Sequence, residues 1–537
     1  MNFFLGFREK RARNFRVFSG GTLRRTKEGA SVERRYDVLI VGGGVVGCAI
    51  ARELSRYRVR TALLDRERDV GLGTSCRNSG VLHSGINYTP GTLRARLAVE
   101  GNRRMHALCR DLRVKCRTIG KLTVAQDEED TATLARLLEQ GIANGVPGLR
   151  ILWPEEMRRL QPGVEGIRAL HSPSSGIVSP YALTVALAEN AVTNGVHVHL
   201  GQEVLDIRPR LPEEGGGFVV RTAAGDRFIA LVVVNAAGVF ADRVAALAGI
   251  PGFRIYPCRG EYYVLDKRFN GVLRTLVYPA PRPRHPGLGI HLTPTVDGNI
   301  LIGPSAEYVE DPGNLACTAA ILRKLQEKGR GLLPDLAGAD FIRSFAGIRA
   351  KQSPPEEGGT RDYIIEDRKD VKGFINLVGI ESPGLTASPA IASMVAEMVG
   401  RHLPLEEKET FVSCREGRRE FFCELSPEEK AALVAEDPDY GEVVCRCEGV
   451  TRREVLDALA NPLGARTLVS LKYRARVTMG RCQGGFCLPR IVRILRDEFG
   501  YDPEDYLLRG DSSPLFVGKV REDAVLRASV PAEGVRP

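Results

Sequence analysis

The sequence predicts an α/β plus α+β protein: a Rossmann-type dinucleotide-binding domain interrupted by an antiparallel-sheet domain and followed by a small C-terminal module. Three observations predict it. Gly42, Gly44 and Gly47 follow an apolar strand directly. Stretches rich in β-formers lie between segments that alternate strand and helix. Four of the twelve cysteines gather near the C-terminus in two close pairs.

Residues 1 to 35 hold ten Lys/Arg against three Asp/Glu, so only about three charges of the net +10 remain for the rest of the chain. A body so nearly balanced excludes a nucleic-acid groove, and no nucleic-acid partner is expected. Phe3, Phe4, Leu5 and Phe7, followed by Arg8, Lys10, Arg11, Arg13 and Arg16, would let the leader lie on an anionic membrane surface or serve as a targeting segment. A disordered tail is the plainer reading. No run of about 18 uncharged apolar residues occurs, so no spanning helix is expected. The expected setting is cytoplasmic or peripheral to the cytoplasmic membrane, and the oligomeric state is not legible.

Tyr36 to Val41 reads as a buried parallel strand, the glycines open a helix from about Val45 to Arg56, and a second strand, Val59 to Leu64, ends in Asp65. This is a complete βαβ opening. Its glycines permit a tight turn and let the backbone approach a pyrophosphate, which the positive helix end stabilises. Asp65 stands 23 residues beyond Gly42, where a carboxylate accepts hydrogen bonds from ribose hydroxyls. The Gly/Ser/Asn-rich loop from Gly71 to Gly80 suits a cofactor that extends farther than NAD, namely FAD, and no second fingerprint follows.

A helix near Tyr181 to Asn194 and strands at Val196 to Leu200 and Ile229 to Asn235 return to the same style, while Glu261 to Leu265 and Asn299 to Ile302 are β-rich. Nucleotide-binding parts are therefore expected at about 36–120, 165–250 and 340–404, and substrate-domain parts at about 121–164 and 251–339. A linker over 405–439, a cysteine module over 440–495 and a patternless tail over 496–537 complete the chain.

Cys445 and Cys447 form C-x-C, and Cys482 and Cys487 form C-x4-C with a glycine loop between them. Residues i and i+2 of an extended segment point to one side, and loop amides can bond to sulfur. The four make a metal-ligand set. An iron–sulfur cluster is favoured by a neighbouring redox cofactor; structural zinc is the alternative.

The fingerprint, Asn78-Ser-Gly-Val-Leu-His-Ser-Gly85, Asn235-Ala-Ala-Gly238, Arg259-Gly-Glu-Tyr-Tyr263 and His291-Leu-Thr-Pro-Thr-Val-Asp-Gly298 resemble the D-amino-acid oxidase superfamily of FAD enzymes. Within it the chain resembles the FAD-dependent glycerol-3-phosphate dehydrogenases, with 2-hydroxyglutarate dehydrogenases close behind. Met479-Gly-Arg-Cys-Gln-Gly-Gly-Phe-Cys487 resembles the BFD-type [2Fe-2S] domain at the C-terminus of the anaerobic type of catalytic subunit.

The resemblance implies that Gly42, Gly43, Gly44, Val45, Val46 and Gly47 touch the pyrophosphate and Asp65 the ribose. It implies Thr74, Ser75, Asn78 and Ser79 at the flavin, Val204 and Gly238 near the adenine end, and Gly379, Gly384, Leu385 and Thr386 on a loop over the pyrimidine side. It makes His83 the base, because Leu82-His83-Ser84-Gly85 resembles an Ile-His-Gly-Gly segment beside the flavin, and an unperturbed imidazole titrates near neutral pH. His291 is a second catalytic candidate. Arg349 matches a substrate-facing arginine, and Arg259 is a further candidate for an anionic substrate. Tyr262 and Tyr263 alternate on a strand, so one faces the cavity; Tyr263 is assigned that place. Arg446, Lys472, Arg474, Arg476 and Arg481 would offset the cluster's negative charge.

The implied reaction is oxidation of sn-glycerol 3-phosphate to dihydroxyacetone phosphate by hydride transfer to flavin N5, with electrons passed through a [2Fe-2S] cluster to a redox partner subunit or a quinone-linked membrane partner. L-2-hydroxyglutarate or an amino or imino acid is the alternative small anionic substrate. A non-enzymatic electron-transfer or regulatory subunit is the alternative outside catalysis.

Overall fold

The computed structural model describes residues 33–281, 289–336, 340–415 and 420–518. The membrane or targeting role expected of the leader, and the end of the tail, fall outside these residues.

Glu33–Val41 is the central strand of an eight-stranded sheet, lying parallel between Thr61–Asp65 and Arg227–Asn235. His197–Leu200 and Phe374–Val378 extend the parallel part on either side, and a hairpin of Val204–Pro209 and Phe218–Thr222 closes one flank. A parallel strand covered on both faces needs a continuous apolar run, which Val38, Leu39 and Ile40 supply at zero exposure. Strand pairing reaches back to Glu33, the first described residue and three before the apolar pattern begins, where Glu33 also forms an ion pair with Arg227 across the register.

The fingerprint helix, Val45–Leu54, packs against helices Pro180–Thr193 and Gly384–Val399 over this sheet. Its small residues Gly47, Ala49 and Ala51 allow that closeness. It ends two residues short of expectation, where Ser55 turns back to the carbonyl of Arg52.

A nine-stranded, mostly antiparallel sheet forms the second layer, centred on Tyr256–Leu265, Ile300–Gly303, His291–Pro294, Leu276–Pro279 and Lys121–Ala125. Arg168–Ser172 and Phe341–Lys351 also belong to it, so the expected boundaries near 165 and 340 move to about 172 and 351. Alternation marks a strand but carries no information about which sheet it joins.

The linker contains a helix, Pro427–Glu436, opened by a Ser426/Glu429 capping box. The cysteine module follows as a short hairpin, Val443–Cys445 with Val450–Thr451, and helices Arg452–Leu459, Leu468–Ala475 and Leu488–Phe499 around their own core. The tail, at first reading patternless, returns to the nucleotide domain: Arg509 donates to Leu72 O (3.0 Å) and pairs with Glu67, and Arg68 pairs with Asp511. Among the described residues no helix is long and apolar enough to cross a membrane.

Candidate functional site

A cavity of about 690 Å³ runs from the fingerprint to the face of the second sheet. Of the residues expected at the cofactor, Gly42, Gly44, Val45, Val46, Asp65, Thr74, Ser75, Asn78, Ser79, Val204, Gly238, Gly384 and Leu385 line it. Gly43, Gly47, Gly379 and Thr386 do not. Gly43 N donates to Asp65 Oδ2 (2.7 Å), and Thr386 Oγ1 accepts from His83 N (3.0 Å). A Cβ on Gly47 would stand 1.9 Å from Gly42 O, so helix and turn can touch only through glycine.

The donors present fit FAD. The N-cap of the fingerprint helix, Gly44, offers no side chain, and although Ser75 Oγ accepts from Val45 N (2.8 Å) the helix N-terminus stays directed at the cavity. Gly238, at φ +58, would meet nothing within 4 Å of an added Cβ, so its openness belongs to the cavity and not to packing. Asp65 accepts from the amides of Gly43 and Glu67, while burial pushes its carboxyl up to about 6 against those two bonds. The volume suits a ligand of this class.

At the other end, His83, His291 and Arg349 line one face of the cavity. Burial holds His83 down at about 3, with Lys121 and His291 adding to the effect, which corrects the expectation of an imidazole titrating near neutrality. His83 is therefore a neutral ring, with Nε2 3.3 Å from Ser382 Oγ. His291 is also held at about 3 by burial. Its Nδ1 meets Gly289 O at 2.9 Å, and because a carbonyl only accepts, the proton resides on Nδ1. Its ring stacks on Tyr278 at 3.7 Å.

Arg349 donates to Ser305 O (3.0 Å) and has no carboxylate partner among the described residues. A Cβ on Gly260 would lie 2.8 Å from its Nη2, so that glycine makes room for the guanidinium. Arg259 and Tyr263 do not line the cavity. Arg259 is buried against Glu261 Oε1 (3.1 Å) and Asn314 Oδ1 (3.0 Å), and Tyr263 stacks on Phe341 at 4.2 Å. Strand alternation instead turns Tyr262 to the cavity, stacked on Phe345 at 4.6 Å.

Sequence reasoning passed over Lys121, Arg94 and Glu381. Lys121 is 2% exposed, sits over the Tyr278 ring at 4.9 Å, and burial brings its amine down to about 7. A lysine opening an otherwise apolar strand was the available signal. Arg94 bonds Glu381 Oε1 at 3.2 Å beneath the loop that carries Ser382 and Gly384.

In the C-terminal module the thiols of Cys445 and Cys487 face each other closely enough to shift one another's acidity, as do those of Cys447 and Cys482. Backbone amides of Gly484 and Phe486 reach Cys482, and those of Glu448 and Thr478 reach Cys445. A Cβ on Gly480 would collide with Cys447 Cβ at 2.1 Å. Among the described residues no three His, Cys, Asp or Glu surround one point as a single metal ion demands. Two thiol pairs with amide donors to sulfur fit a two-iron cluster better than zinc.

The basic residues expected to balance that cluster mostly do other work. Arg474 is buried between Asp69 and Glu189, and Arg476 among Asp297, Glu448 and Tyr181. Arg481 pairs with Asp266 and Arg446 lies over the Phe486 ring. Lys472 is half-buried near Arg343 and Arg77, and desolvation lowers its amine to about 7. The first three tie the module to the nucleotide and substrate domains.

Residues 37–398 match the family described as FAD dependent oxidoreductase, and residues 443–497 match the BFD-like [2Fe-2S] binding domain. The glycerol 3-phosphate dehydrogenase of Caloramator mitchellensis is 40% identical over 491 residues, 91% of this chain and 99% of that protein. The mitochondrial L-2-hydroxyglutarate dehydrogenase of Bos taurus is 30% identical over 69% of this chain and 90% of its own length. Dithionite-reduced L-α-glycerophosphate oxidase from Mycoplasma pneumoniae, solved with FAD bound, superposes with a TM-score of 0.66 at 30% identity, covering 72% of this chain and 100% of that one.

Proposed function

Because the chain belongs to the FAD dependent oxidoreductase family and carries a BFD-like [2Fe-2S] binding domain, we propose that it oxidises sn-glycerol 3-phosphate to dihydroxyacetone phosphate and delivers the electrons to a partner protein or a quinone. One observation carries the choice of an anionic alcohol: the Arg349 guanidinium lines the cavity with no ion pair among the described residues, in the space that the neutral His83 and His291 also line. A cation so placed calls for an anion from the ligand. The Caloramator relative adds support, since it resembles this chain over 91% of its length whereas the Bos taurus relative spans 69%.

Bound FAD supplies the two-electron acceptor, and the [2Fe-2S] cluster, held by Cys445, Cys447, Cys482 and Cys487, a one-electron outlet. In our reading Arg349 grips the phosphate and sets the distance of the secondary alcohol from the cofactor. His83 takes the hydroxyl proton, its ring oriented by Ser382 Oγ and its backbone fixed by the Thr386 contact. Its neutral state means that the base is ready without first losing a proton. His291 and Tyr278 form a stacked wall that limits water.

Anaerobic stopped-flow mixing of the purified holoprotein with sn-glycerol 3-phosphate, L-2-hydroxyglutarate and a set of amino acids tests this. Fast bleaching of the flavin by glycerol 3-phosphate alone, followed by reduction of the cluster, is expected. Bleaching by L-2-hydroxyglutarate in its place would transfer the assignment to that acid, and a flavin that no substrate bleaches would point to a non-enzymatic subunit.

A further inference from the structure

Cys109 and Cys116 stand outside the flavin cavity and outside the cluster module. Cys109 occupies the last turns of helix Leu93–Asp111 and is 1% exposed; Cys116 opens the strand Cys116–Thr118 and is half-buried. The chain reverses between them. Arg113 adopts a left-handed conformation at φ +53, and Val114 N returns to Cys109 O at 2.8 Å, which folds the strand back along the end of the helix. The reversal packs Cys116 against the buried cluster that contains Cys109 and sets the two thiols in electrostatic contact.

A third group completes the arrangement. His106, one turn before Cys109, places Nδ1 3.5 Å from Cys116 Sγ and Nε2 2.6 Å from Thr118 Oγ1. With the hydroxyl donating to Nε2, the ring proton resides on Nδ1 and points at the sulfur. An N–H aimed at sulfur, together with a thiol neighbour, favours the thiolate at Cys116, whose acidity is raised relative to an ordinary cysteine by the Cys109 contact. Cys109, buried and directing its S–H at the Cys116 sulfur, stays protonated.

We propose that Cys116 and Cys109 form a peroxide-reactive dithiol site that closes as an intrachain disulfide. The Cys116 thiolate attacks hydrogen peroxide; an S–O bond forms, the O–O bond breaks, and the departing hydroxide is protonated to water. Cys109 sulfur then attacks the sulfenic acid; the S–S bond forms, the S–O bond breaks, and the Cys109 proton leaves with the hydroxyl as a second water. Two thiols lose two electrons and one peroxide becomes two waters. The strand that carries Cys116 pairs with Gly176–Val178, which pairs with the Val81–Leu82 segment leading into His83, so the bond would form two strands away from the catalytic candidate.

Holoprotein exposed to a few equivalents of hydrogen peroxide, alkylated and cleaved with trypsin, gives the readout, because Arg110, Arg113 and Lys115 separate the two cysteines into different peptides. A peptide pair joined through Cys109 and Cys116, lost on reduction with dithiothreitol, is expected. Cys116→Ser should abolish the pair, Cys109→Ser should leave Cys116 as a sulfenic acid trapped by dimedone, and His106→Gln should slow its formation. If both cysteines remain fully alkylated at a dose that oxidises the exposed Cys414, or if Cys116 joins a different cysteine, the proposal fails.

Discussion

Burial sets the protonation of His83 and His291 before any substrate arrives. Each ring is held at about 3 in the folded chain against an ordinary value of 6.5. Between those two values the unfolded chain binds more protons than the folded one, so stability falls as pH drops from 6.5 toward 3. Thermal melts across that window should show a shallower pH dependence for His83→Asn than for the parent protein. The same substitution should slow flavin bleaching by ~10²–10⁴-fold while FAD stays bound, since it removes a proton acceptor but no cofactor contact. An unchanged bleaching rate would take His83 out of that role. At this scale the sequence was readable where a residue sat inside a recognisable segment, as His83 and Arg349 do. It was unreadable where the decision was which way a strand faces: Arg259 and Tyr263 share a face with Glu261, and only the register with Phe341–Lys351 determines that the face turns from the cavity. Lys121 gave no motif at all, because its environment is assembled from Tyr278, His83 and His291, all distant in the chain.

The first strand, its glycine turn and the helix behind it behave as one unit. Gly47→Ala would bring a methyl group within 1.9 Å of Gly42 O, a contact no side-chain rotation relieves. The helix must then retreat from the turn and the amides lose their aim, so the variant should purify with little or no flavin absorbance. A variant that retains stoichiometric FAD would show that the turn tolerates more than its geometry suggests. Element type and place followed from the apolar run and the glycine spacing to within a few residues. Membership did not: Arg168–Ser172 and Phe341–Lys351 carry the same alternation as their neighbours, and long-range pairing alone assigns them to the second sheet. The capping box at Ser426 was in the sequence, hidden by an acidic composition that reads as a linker.

Across the whole molecule, the cysteine module is held by buried charge. Arg474 lies between Asp69 and Glu189, and Tyr473 beside it stacks on Tyr181 at 5.1 Å. Arg474→Met would take the guanidinium from the buried carboxylate of Asp69, while Glu189 keeps Arg415, a loss of about 3–5 kcal/mol for a broken buried pair. Substrate should then still bleach the flavin at the parent rate, whereas the cluster's reduced signal should lag or vanish in rapid-freeze paramagnetic resonance. A cluster that fills as quickly as before would show that the contact is dispensable for transfer. The composition placed these arginines near the cysteines but could not say that their partners lie up to 405 residues away. The tail adds one more tie, with Arg509 gripping Glu67 and Leu72 O just beyond the ribose-side acid. Since a ribosome makes Arg509 after every strand of both sheets, that grip closes only once both sheets have been synthesised. The nucleotide pocket, begun by the first strand, is thus fastened by a residue that emerges more than a hundred positions after the last strand of either sheet, and a nascent chain stopped before Arg509 would leave it open.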